Sequence, residues 1–159
     1  MTAAAALTID SPIGPVTIRE RDGAIAAIDL TAAAGPQEPT PLLRKAATQL
    51  ADYFAGTRTD FDLPLAPPRS DFQRRIRAAM LAIPYGETRS YGALALEIGS
   101  VPRAVGQACG DNPIPIVVPC HRVLAAGGRI GGYSAGGGRT TKRWLLGHEA
   151  RPTLFTAQR

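Results

Sequence analysis

Cysteine and histidine are scarce in this chain of 159 residues: the thiols are Cys109 and Cys120, the imidazoles His121 and His148. So few thiols, without a recognisable leader, exclude a disulfide framework. The Cys109 to Cys120 spacing lacks the close ligand pairs of common zinc sites, so no metal is expected. Lysine is nearly absent, standing only at Lys45 and Lys142. No apolar run approaches the ~18 residues that span a bilayer, which excludes a membrane helix. Met1 to Leu7 is alanine-rich but has no basic start, which argues against a cleaved leader. A cytoplasmic chain is the expectation.

What is present is arginine. It carries most of a formal charge of +5 and a sequence pI near 9.8. The guanidinium fork pairs with phosphate oxygens two at a time, so this composition suits a phosphate-bearing partner. A coding bias toward arginine gives the same count, so charge alone leaves a nucleic acid open.

The chain divides at Leu65-Ala-Pro-Pro-Arg-Ser70, a proline-stiffened linker. Before it, Leu7 to Asp10, Val16 to Arg19 and Ile25 to Leu30 alternate as strands, with a turn at Asp22-Gly23. Thr40-Pro41 starts a helix with Leu43, Ala46, Leu50 and Tyr53 or Phe54 on one face, ended by Gly56. Phe61 to Leu65 reads as a further short strand. After the linker, Ser70 and Gln73 form a capping box for a helix with the stripe Phe72, Ile76, Met80 and Ile83. Two short helices follow, Ser90 to Ile98 and Pro102 to Cys109, the second capped by Ser100. Ile114 to Val118 reads as an extended apolar run, Gly127 to Gly138 as a loop. Thr141 to Glu149 is a last helix with Trp144, Leu145 and His148 on one face. The fold class expected is α/β (α+β): a small antiparallel sheet plus helix over 1–66, then a mostly helical unit over 70–152 with a helix-turn-helix.

Three groups of residues can carry chemistry. The second short helix has Arg103 at its start, then Ala104, Gly106 and Ala108. A helix about 10–12 Å across fits a minor groove about 6 Å wide only if its side chains are small. The same small residues also suit plain helix packing. Cys120 stands in Pro119-Cys120-His121-Arg122. A thiol attacks only as thiolate, an adjacent imidazole can take its proton, and a carboxylate such as Glu149 can orient the imidazole. A buried structural cysteine beside a surface histidine is the plainer reading of the dipeptide alone. The glycine loop carries Tyr133 and Ser134, which can wall a pocket and present a ring and amides to a base.

Taken in order, Asp71-Phe72-Gln73, Ile83-Pro84-Tyr85-Gly86, Ser90-Tyr91-Gly92, Arg103-Ala104-Val105-Gly106, Asn112-Pro113, Ile116 to Val123 with its Pro-Cys-His-Arg core, and Gly132-Tyr133-Ser134 through Lys142 to Glu149 resemble the O6-alkylguanine-DNA alkyltransferases. The first 65 residues resemble them only in Asp10 to Gly14 and in layout. The resemblance implies a ribonuclease H-like supporting domain and single-use transfer of an alkyl group from O6-alkylguanine, and from O4-methylthymine as a second substrate, to Cys120. It implies no cofactor, and a monomer on the minor groove of double-stranded DNA. Cys120, His121, Glu149, Asn112 and Tyr91 would be catalytic. Arg103, Ala104, Gly106, Tyr133, Ser134 and Arg122 would contact DNA or the flipped base.

This sequence departs from that pattern at Ala135, where a glycine is usual, in a stretch to Lys142 about two residues longer, and at Arg77, where tryptophan is frequent. Two rivals remain: a lesion-binding protein that transfers nothing, and a cysteine hydrolase.

Overall fold

The computed structural model describes residues 4–30, 37 and 39–150. The expected outer bounds at 1 and 152 lie outside them.

Three strands, β1 (Ala4–Ile9), β2 (Val16–Arg21) and β3 (Ala24–Asp29), form an antiparallel sheet in chain order. Asp22 and Gly23 both take positive φ, 53° and 76°, the conformation a tight hairpin with matched twist needs. Val16, Ile18, Ile25 and Ile28 supply its buried residues. Helix α1 (Pro41–Phe54) packs against the sheet through Leu43, Ala46 and Leu50. Its cap is the one the sequence indicates: Thr40 accepts from the Leu43 amide at 3.1 Å.

Residues 61–65 do not form the strand expected of them. Pro64 has no amide hydrogen, and Gln49 binds both backbone groups of Asp62, at 2.9 and 3.1 Å. One isolated bridge, Leu65 to Ile25, is what remains.

Helix α2 (Asp71–Leu81) begins at Ser70, whose hydroxyl accepts from the Gln73 amide at 3.0 Å. Ile76, Met80 and Ile83 are buried, with Phe72 half-buried at the edge of the stripe. A short strand, β4 (Arg89–Ser90), then leads into helix α3 (Tyr91–Ile98) and helix α4 (Pro102–Gly110), the expected helix-turn-helix. Gly99 makes the turn in the left-handed region, φ 72°. Ser100 is not the cap of α4. Its amide closes the end of α3 onto Ala95 at 2.8 Å, and Val101 takes the cap position without a side-chain bond. Pro102 needs no donor partner at the first turn, so the helix starts regardless.

The stretch 114–118 is also not extended. Pro113 and Pro115 lack amide hydrogens, and Asn112 holds the Ile114 amide at 3.1 Å and the Val118 carbonyl at 2.8 Å. The chain folds into a buried turn, with Val118 bonded back to Ile114 and Ile116 at φ 74°. One helical turn, Cys120–Arg122, follows, and β5 (Val123–Leu124) pairs in parallel with β4. That pairing sets the Cys120 segment beside the start of α3. The last helix, α5 (Arg139–Ala150), buries Thr141, Lys142, Leu145 and Glu149. Trp144 and His148 stack on each other at its flank (4.8 Å), and Trp144 meets Phe54 of α1. The buried face is therefore rotated from the expected Trp144-Leu145-His148 stripe. No described helix is long and apolar enough to cross a membrane.

Candidate active site

Cys120 opens the helical turn behind the Asn112-clamped bend, and the next residue, His121, is fully buried. Helix α5 brings Glu149 from the other side. His121 Nε2 lies 2.7 Å from Glu149 Oε2. Arg122 lays its fork on the same carboxylate, Nε to Oε1 at 2.7 Å and Nη2 to Oε2 at 3.2 Å. Its remaining terminal nitrogen donates to the Ile83 carbonyl at 2.8 Å, and its plane sits over the Tyr85 ring. Burial pushes the Glu149 carboxyl up, but the hydrogen bonds and charges of His121 and Arg122 outweigh it and hold the group at about 2. Burial pushes His121 below the usual histidine range, with Glu149 opposing.

Those two directions fix the tautomer. An ionised carboxylate can only accept, so Nε2 carries the hydrogen and Nδ1 carries the lone pair. Nδ1 has no hydrogen-bond partner among the described residues. The imidazole is thus neutral and oriented, with its lone pair on the nitrogen that a proton acceptor uses.

The thiol is also buried, at 5% exposure. Burial pushes it above the ordinary cysteine value, while the Asn112 amide, the Lys142 ammonium and the Tyr133 hydroxyl pull it down. Lys142, fully buried, is held by the carbonyls of Val123 at 2.8 Å and Gly132 at 3.3 Å. Its ammonium also lies 3.5 Å from the Tyr91 hydroxyl and over that ring.

A cleft of about 430 Å³ opens onto this sulfur. Tyr91, Gly106, Tyr133 and Ser134 wall it, and Cys109 lines it beside Cys120. Ser134 donates to the Gly110 carbonyl at 2.8 Å, tying the glycine loop to the end of α4. Gly131 is required on two counts. Its φ is 73°, and a Cβ there would meet the Tyr91 ring and hydroxyl at 3.3 Å. The volume is that of a small-molecule pocket.

The structure therefore brings Cys120, His121, Glu149, Asn112, Tyr91, Tyr133 and Ser134 together. Ala104 is half-buried on α4, and Arg103 is exposed at its first turn. Arg122 is a correction. It was expected to contact DNA or the base, but at 6% exposure its guanidinium bonds Glu149 and the Ile83 carbonyl, and so it orders the carboxylate. Tyr53 joins the site from the buried stripe of α1. Its hydroxyl donates to Glu149 Oε2 at 2.6 Å. A buried tyrosine hydroxyl needs a partner, and that requirement was the available signal. Lys142 carried a signal too, as one of two lysines in the chain.

The model of the 6-O-methylguanine DNA methyltransferase DNA binding domain matches residues 71–151, and that of the ribonuclease-like domain of the same family matches residues 6–67. A methylated-DNA–protein-cysteine methyltransferase of Mycolicibacterium paratuberculosis is 47% identical over 152 residues, 91% of each chain. A constitutive one of Bacillus subtilis is 39% identical over 154 residues, 89% of this chain and 93% of the other. The crystal structure of Mycobacterium tuberculosis O6-methylguanine methyltransferase superposes with a TM-score of 0.83 at 44% identity, covering 99% of this chain and 100% of that one. That of Mycobacterium tuberculosis OGT in complex with DNA gives 0.80 at 46%, covering 91% and 92%.

Proposed function

This chain belongs to the 6-O-methylguanine DNA methyltransferase family and repairs DNA by moving an alkyl group to one of its own cysteines, and we propose that the acceptor is Cys120. The observation that carries this is the His121–Glu149 contact at 2.7 Å, which leaves a neutral imidazole with its lone pair on Nδ1 in the residue next to Cys120. Nδ1 takes the thiol proton through a water, and Glu149 offsets the charge of the imidazolium that forms. Asn112, Tyr133 and Lys142 favour the thiolate against the cost of burial. The sulfur then attacks the alkyl carbon. The S–C bond forms as the C–O6 bond breaks, and the electron pair leaves on the guanine oxygen. Tyr91, its hydroxyl in the cleft, donates to the departing base. A thioether is stable, so each molecule acts once.

DNA is the partner, and we infer that α4 enters the minor groove. Ala104 and Gly106 permit close approach, and exposed Arg103 fills the gap left by the flipped nucleotide. The Tyr133-Ser134 loop walls the base pocket, and Ala135 with the longer stretch to Lys142 sets which alkyl groups and bases, O4-methylthymine included, it admits. The protein works as a cytoplasmic monomer without a cofactor, with units at 1–66 and 70–152. A binder that transfers nothing has no use for a thiol set against an oriented base.

The test is a duplex carrying O6-methylguanine labelled in its methyl group. Label is expected on the protein in a one-to-one ratio, with Cys120→Ser abolishing transfer. Label that stays on DNA with folded protein overturns the reading.

A further inference from the structure

Glu149 Oε2 receives three donors: His121 Nε2 at 2.7 Å, Arg122 Nη2 at 3.2 Å and the Tyr53 hydroxyl at 2.6 Å. Two of them come from the segment that carries the thiol. The third comes from α1, whose other buried side chains belong to the sheet-bearing unit. Tyr53 is fully buried and fixed from every side. Phe54, Phe61 and Tyr85 surround its ring at 5.3–6.2 Å, and its own carbonyl lies 2.7 Å from His148 Nε2 of α5. Its hydroxyl has one direction to point, and the Glu149 oxygen that holds the base lies there.

We infer that Tyr53 is a positioning residue for alkyl transfer, its O–H fixing the carboxylate that orients His121, so that the first unit of the chain is part of the reaction machinery. This rests on the reading of Cys120, His121 and Glu149 given above. A carboxylate with two donors from the nucleophile's own segment could still swing with that segment. The third donor, anchored on another unit, stops the swing. It also withdraws electron density from Oε2, so the proton stays on His121 Nε2 and the lone pair stays on Nδ1. The phenol is a permanent donor here, because burial first and the Glu149 charge second push its ionisation well above the usual tyrosine range.

The charged and titratable groups around this pair are few. Arg122 comes from the helical turn, Tyr85 from the turn after α2, Tyr133 from the glycine loop, and Lys142 and His148 from α5. None of them replaces the phenol as a neutral donor to Oε2. Removing the O–H leaves Glu149 a stronger base and a stronger partner for an imidazolium. Both effects raise the pH at which His121 is lost as an acceptor.

The experiment is the pH profile of single-turnover transfer from free O6-benzylguanine, which needs no base flipping, for the wild type, Tyr53→Phe and Phe61→Leu. Wild-type transfer to Cys120 comes first; its absence defeats the underlying reading and not this one. Tyr53→Phe is expected to lose on the order of tenfold in plateau rate, as one hydrogen bond to a charged group allows. Its acid limb should move to higher pH. Phe61→Leu loosens the same aromatic cluster and should lower the melting temperature without moving the limb. An unmoved limb in Tyr53→Phe, or an equal movement in Phe61→Leu, overturns the inference. Should Tyr53→Phe melt too low to assay, the Tyr53 hydroxyl proton in the wild type decides by NMR. A downfield, exchange-protected proton upholds the bond, and its absence overturns it.

Discussion

A thiol at 5% exposure with its ionisation pushed up by burial is a poor nucleophile at rest, so its neighbours must do the activating. Glu149 is the residue on which most of that depends, since it holds His121 and Arg122 together. Glu149→Gln should slow transfer by about 10²–10⁴-fold, the usual range for disabling a general base. It should also destabilise the fold by about 3–5 kcal/mol, because Arg122 is left buried without its counter-charge. Single-turnover rates and urea melts check the two effects separately. A Gln variant with normal rate and normal midpoint contradicts the relay. The grouping of Cys120, His121 and Glu149 was legible because each residue type admits few roles and the motif fixes two of them side by side. Arg122 was read as a DNA contact for a physical reason: a guanidinium in a basic chain suggests phosphate until its burial and carboxylate are seen. Tyr53 was illegible because periodicity reports where a ring goes and not where its hydroxyl points.

Helix α4 and the glycine loop form the entrance, and each has a residue whose change separates reaction from access. Arg103→Ala should weaken repair of duplex DNA by tenfold or more on the order of magnitude of a lost base-gap contact, while reaction with free O6-benzylguanine stays near wild type. Equal losses on both substrates count against a role in flipping. Gly131→Ala strains a positive φ and presses a methyl group on Tyr91, so it should slow both substrates alike. Comparing the two rates for both variants tests the pair. At this scale the caps at Thr40 and Ser70, and the helix-turn-helix itself, followed from residue type and spacing. The run Ile114 to Val118 did not. Its apolar composition fits a strand, but Pro113 before it and Pro115 within it lack amide hydrogens, and the Asn112 side chain supplies the bonds that make it a turn. A side chain standing in for backbone pairing leaves little trace in periodicity, and the same held for Gln49 and residues 61–65.

The whole molecule couples charge, acidity and stoichiometry. With a net charge of +5, affinity for DNA should fall with rising salt and vary little with sequence; a flat salt response contradicts phosphate-led binding. Stability should fall in acid in two stages. His121 is held below its usual range, so the unfolded chain gains a proton that the folded one refuses once the pH drops below about 6.5. Glu149, held at about 2, contributes stability that is whole above the ordinary carboxylate range and is lost as the pH falls through that value. Urea midpoints taken from pH 8 down to pH 3, for the wild type and Glu149→Gln, check this, and a wild-type midpoint that holds constant contradicts it. The most direct measurement of the central claim is mass spectrometry of the protein after reaction with an O6-methylguanine duplex, because two thiols, Cys109 and Cys120, line one cleft. One methyl group per molecule, on the peptide bearing Cys120, is the expected result; a methyl group on Cys109, or none on a protein that has repaired its DNA, would contradict it.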